Sequence, residues 1–126
     1  MSAFSKAWLA CMQSNNFPVI DAETVEEAVE FVEDIHSKWE KAGGDKEVTI
    51  GALIAAGAFV GVGPEALKAL NAAAKIVFLA YVTACISCMA SVAVDDLKQL
   101  FSAGKLQDFF VAELSNENVD VGQAKA

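Results

Sequence analysis

Three groups of residues in this chain have types that can do chemistry: the pair Cys85-x-x-Cys88, the single histidine His36, and the acids between Glu23 and Asp34. A redox Cys-x-x-Cys pair belongs at a helix N-terminus, where the dipole lowers the thiol pKa. Here the pair lies inside the most apolar stretch of the chain, so both cysteines read as small packing residues. A zinc site needs four ligands, and Cys11 and His36 sit in distant segments without the spacing to complete one. Glu23, Glu26, Glu27, Glu30, Glu33 and Asp34 read as the solvated face of a helix, with His36 on or beside its apolar stripe. Together they form a candidate partner-binding or pH-sensing face. There is no glycine-rich phosphate loop after a strand and no second base for a triad. No enzyme, cofactor or metal is expected.

The elements that must position these residues all read as helical. Ser2 can cap a first helix over residues 2–13, with Phe4, Trp8 and Met12 on one face. The polar break "SNNFP" ends it. A second helix over 22–42 can be capped by Asp21 or by Thr24, the latter in a capping box Thr24-x-x-Glu27, and carries Val25, Val29, Val32, His36 and Trp39 as an apolar stripe. Gly43-Gly44 stops it. Two more amphipathic stripes are expected over 95–103 and 105–114, followed by a tail, 115–126, too polar to hold structure. Strand alternation and internal repeats are missing.

Charge and hydropathy are segregated along the 126 residues. Hydrophobic residues make up 55% of the chain, yet the net charge is −8. Ten acids and three lysines fall between Asp21 and Glu47, whereas the 19 residues from Ile76 to Val94 carry no charge. Arginine is absent and the nine lysines are scattered, which argues against nucleic acid. No secretory signal peptide is recognised, which points to synthesis in a reducing cytoplasm. The odd cysteine count there does not suggest a disulfide framework.

The uncharged centre, residues 48–94, reads as a helical hairpin. Ile76–Val94 as a helix spans roughly 28 Å, close to the hydrocarbon thickness of a bilayer. Ala80, Thr83, Ala84, Ser87, Cys88 and Ser91 share one small-residue face, which permits close helix contact in lipid. The preceding arm, Val48–Val62, offers Gly57-x-x-x-Gly61, plus Gly51 and Ala55 at the same spacing, as the matching seam. Gly63 and Pro64 form the turn between the arms. The expectation is one all-α domain over 1–114, with about five helices and a central hydrophobic hairpin jacketed by amphipathic ones.

This layout, residues 48–94 plus the jacket, resembles pore-forming colicin domains and the small pore-forming antibacterial effectors delivered by type VI secretion. The chain is much shorter than a colicin. The resemblance implies insertion of the hairpin into a bacterial inner membrane after export by a non-Sec route. It also implies homo-oligomerisation, ion leakage and a cognate immunity or chaperone protein. Protonation of the acidic face would then favour insertion at lower pH. Two other functions fit the same pattern: a soluble immunity or adaptor protein whose acidic helix meets a basic partner, and a small resident membrane protein.

Overall fold

The first helix, α1 (Ala3–Ser14), starts where Ser2 Oγ accepts the Ser5 N–H at 3.0 Å. It ends where Asn16 turns left-handed at φ 62° and Phe17 N–H closes back onto the Met12 carbonyl at 2.9 Å. Ser5, Trp8 and Met12, one helical face, are its buried residues. The computed structural model describes residues 2–119. Helix α2 (Val25–Lys41) is capped by Thr24 Oγ1, which accepts the Glu27 N–H at 3.1 Å. Glu26 and Glu27 stand in its first turn and Lys38 and Lys41 in its last, matching the helix dipole. The expected stripe is buried, together with Ala28, Phe31 and Ile35.

The first uncharged segment departs from the expected helical arm. Helix α3 covers only Ile50–Ala55, and the chain then turns through Gly57 at φ 79° and Gly61 at φ 94°. An isolated six-residue helix gains too few hydrogen bonds to offset nucleation, and glycines lower the barrier to leaving it. Helix α4 (Pro64–Ala72) begins on Gly63 as N-cap with Pro64 in its first turn, as the sequence predicts. A break the sequence does not announce separates it from α5 (Phe78–Ser102). Here residues 48–51 clasp residues 74–78: Ile50 N–H donates to Ile76 O at 2.9 Å, Gly51 N–H to Ala74 O at 2.8 Å, and Phe78 N–H to Val48 O at 2.8 Å. Thr49 and Val77 form an antiparallel bridge inside this clasp.

The architecture is all-α, with six helices among the described residues. Helix α5 is the central one, packed by α1, α2 and α6 (Asp108–Asn116). It takes in the stripe expected as a separate helix at 95–103, with Ala93 at φ −150° and ψ 40° marking a kink at the junction. The uninterrupted apolar part is therefore Phe78–Val92, roughly 22 Å of helix, shorter than the expected Ile76–Val94 span. Helix α6 lacks a side-chain cap of its own; the Gln107 N–H instead donates to Glu33 Oε2 at 2.8 Å, tying α6 to α2. Order reaches past residue 114: Ser115 and Asn116 are helical, and Val119 packs against the core. The rest of the expected tail, 120–126, lies outside the described residues.

Candidate functional site

Helix α5 presents two chemically different faces, and the fold chooses between them. Phe78, Tyr81, Cys85, Ile86 and Met89 are 0% exposed and Val82 is 4% exposed. These bulky side chains meet Trp8 and Met12 of α1 and the α2 stripe in one core cluster. Trp8 Nε1–H donates to the Cys85 carbonyl at 3.1 Å, and Tyr81 O–H donates to the Pro18 carbonyl at 2.7 Å. The opposite, small-residue face looks outward: Ala80 and Ser91 are exposed, and Thr83, Ala84 and Ser87 are partly so. These five line an open groove of about 580 Å³ between the end of α1 and the end of α6. The face expected to receive another helix is thus covered by α1 at Cys88 and open along Ala80, Thr83, Ala84, Ser87 and Ser91.

The proposed seam on the first arm is not assembled. Gly57 and Gly61 lie in the α3–α4 loop with left-handed backbone, and Ala55, Gly57 and Gly61 are exposed rather than set against α5. Gly51 does make a close backbone approach, but to the end of α4. A Cβ at Gly51 would stand 3.0 Å from Ala74 O and 3.3 Å from Ala74 Cβ. Replacing Gly51 with alanine should therefore strain the 48–51/74–78 clasp and lower stability by about 1–3 kcal/mol. A urea midpoint indistinguishable from wild type would show that the clasp yields freely.

The cysteines also depart from expectation. Cys11 and Cys88 form a disulfide joining the last turn of α1 to the middle of α5, with Cα atoms 5.7 Å apart. Cys88 is therefore a covalent link between α1 and α5, where a packing residue was expected. Cys85 remains a free, buried thiol. Burial pushes its pKa up, and that of Tyr81 likewise, so neither ionises near neutrality. No spacing rule pairs Cys11 with Cys88, because their separation of 77 residues carries no signal until α1 lies on α5.

The acidic face of α2 divides. Glu23, Glu26, Glu27, Glu30 and Asp34 are exposed, as a solvated or partner-binding face requires. Glu33 is half-buried; desolvation, opposed by the Gln107 hydrogen bond, raises its pKa. His36 belongs to the core edge at 7% exposure, its ring stacked on Phe109 of α6 at 3.6 Å between centroids. Its Nδ1 is buried without a hydrogen-bond partner, with Glu40 Oε1 3.7 Å away.

Burial lowers the His36 pKa, and Glu40 only partly restores it. The unfolded chain then takes up this proton more readily than the folded one. Folding stability consequently falls as pH drops from about 6.5 toward the lower folded value. Glu33 and Glu113, both raised by burial, act with opposite sign and favour the fold as pH falls toward their ordinary range. Exchanging His36 for phenylalanine should keep the Phe109 stack and abolish the loss on the acid side of about pH 6.5. Equal urea midpoint shifts in both proteins between neutral and mildly acid buffer would contradict this assignment.

No family model, curated protein or solved structure matches the chain, so its function must be argued from these residues.

Proposed function

We propose that this protein inserts into a lipid bilayer and permeabilises it, with α5 as the inserting element and the amphipathic helices α1, α2 and α6 as its jacket. The observation that carries this reading is the composition of α5 set against its burial. Its most apolar 18-residue window has a mean hydropathy of 1.7, yet only 39% of that window is buried. In water the helix leaves its small-residue groove open, with Ala80 and Ser91 exposed and Leu79, Thr83, Ala84 and Ser87 half-buried. In lipid that surface suits close contact with a second helix, so the active form would be a homo-oligomer. Spanning the hydrocarbon requires Ala93 to become helical and residues 76–77 to join α5, restoring the length of Ile76–Val94. The target would be a bacterial inner membrane, and a cognate immunity or chaperone protein would shield the groove.

First contact with lipid falls to the α3–α4 loop. Val60, at the tip between the two left-handed glycines, is 80% exposed, and residues 48–64 carry no charge. A valine moving from water into the interface gains enough for Val60→Asp to weaken vesicle binding about tenfold or more. Folding should stay within about 0.5 kcal/mol, because the site is a solvated loop. The governing experiment is dye release from phosphatidylethanolamine/phosphatidylglycerol vesicles across pH. Release should grow as pH falls, because a chain of net charge −8 is repelled less by anionic lipid as its negative charge declines. Absence of release at every pH, from oxidised and reduced protein alike, ends the proposal. The exposed acids of α2 also support a soluble protein that binds a basic partner, which that negative result would favour.

A further inference from the structure

The Cys11–Cys88 disulfide lies where it can govern release of the jacket. Helix α1 covers the bulky face of α5 through Trp8 and Met12, both 0% exposed, and through the Trp8–Cys85 hydrogen bond. Those contacts are noncovalent and reversible. The sulfur bridge is not, and it anchors the last turn of α1 to the middle of the inserting helix. Because the bridged residues are 77 positions apart, α2, α3 and α4 are enclosed in the same covalent loop. While it stands, α1 cannot leave α5, and the face bearing Tyr81, Val82, Ile86 and Met89 cannot turn fully to lipid.

The bridge is also reachable. Both cysteines line the groove on the outer face of α5; Cys11 is partly exposed, whereas Cys88 is 2% exposed. Cys11 is therefore the more reachable of the two bridged residues. The third cysteine offers no internal alternative. Cys85 is fully buried on the bulky side of α5, in contact with Tyr81, and burial holds its thiol protonated.

We propose that Cys11–Cys88 is a thiol-exchange site acting as a redox latch: the bridged protein is the closed, water-soluble form, and reduction by an external dithiol frees α1 and permits insertion. This rests on the membrane-inserting reading above. In the first step a thiolate of the dithiol attacks Cys11 Sγ, the Sγ–Sγ bond breaks, and Cys88 departs as a thiolate that takes a proton from water. The second thiol of the reductant, losing its own proton, then attacks its mixed-disulfide sulfur. This releases Cys11 as a thiolate, which is protonated in turn, and leaves the reductant as a cyclic disulfide. Two electrons pass from the dithiol to the protein bridge.

The test uses the full chain in three forms: oxidised, reduced with dithiothreitol, and oxidised Cys11→Ser. Thiol titration in denaturant should find one free thiol in the oxidised protein and three in the reduced. Dye release from phosphatidylethanolamine/phosphatidylglycerol vesicles should be about tenfold or more faster for the reduced chain and for Cys11→Ser than for the oxidised chain. Amide exchange in α1 should speed up on reduction while α2 stays protected. If Cys11→Ser does not fold, reduced wild type with native circular dichroism carries the comparison. Equal release from oxidised and reduced chains overturns the latch and leaves the membrane reading standing. No release from either form overturns both, and three free thiols in the oxidised protein overturns the latch outright.

Discussion

Replacing Trp8 with alanine should lower the stability of the fold by about 3–5 kcal/mol, the range for removing a fully buried large aromatic side chain. Trp8 is 0% exposed, stacks on Phe4 at 5.8 Å between centroids, and donates its indole N–H to the Cys85 carbonyl. Its loss leaves a cavity between α1 and α5 and removes the one side-chain hydrogen bond from α1 to the backbone of α5 among the described residues. Against a typical total of about 5–15 kcal/mol, the variant should remain folded only weakly in dilute buffer. Equilibrium urea unfolding measures this directly. A midpoint lowered by less than the equivalent of about 1 kcal/mol would mean that α1 is not integral to the core. Trp8→Phe separates the two contributions, since it keeps most of the volume and loses the donor; about 1–2 kcal/mol is expected.

The second large effect concerns the bridge as a stabilising element, independent of any membrane. Cross-linking residues 77 apart removes much of the freedom of the unfolded chain, and the loop-entropy relation gives about 4.5 kcal/mol for a loop of this length. Native disulfides commonly deliver about 2–4 kcal/mol. Reduction should therefore lower the thermal midpoint by roughly 10 °C or more for a domain of this size. Cys11→Ala/Cys88→Ala should behave like the reduced wild type and be indifferent to dithiol. A thermal midpoint that is the same with and without reductant would show that the bridge does not constrain the chain in solution. Together the two results would establish whether α1 is held mainly by packing or mainly by the sulfur link.

Much of α1, α2 and the start of α4 was legible because the signals there are local. Ser2, Thr24 and Gly63-Pro64 mark helix starts, Gly43-Gly44 marks a helix end, and the stripe Val25–Trp39 has helical spacing that survives any tertiary context. The uncharged centre was not legible in the same way. Gly51, Gly57 and Gly61 satisfy a helix-packing pattern and a turn pattern equally well, and composition does not choose between them. Their roles diverged when residues 48–51 found backbone partners at 74–78, which shortened α3 and set α4 between it and α5.

By itself, then, the chain determined an all-α class, the Ser2 cap of α1, the apolar stripe of α2, and a division of α5 into a bulky face and a small one. Three matters were decided only in three dimensions: the clasp at Thr49–Val77, the pairing of Cys11 with Cys88, and which face of α5 turns inward. The last has a plain physical cause. In water the driving force scales with apolar area removed from solvent, so Tyr81, Ile86 and Met89 go to the core and Ala80, Ala84 and Ser87 are left outside. Such a preference depends on the partners that α1 and α2 bring from distant sequence, which no local spacing encodes.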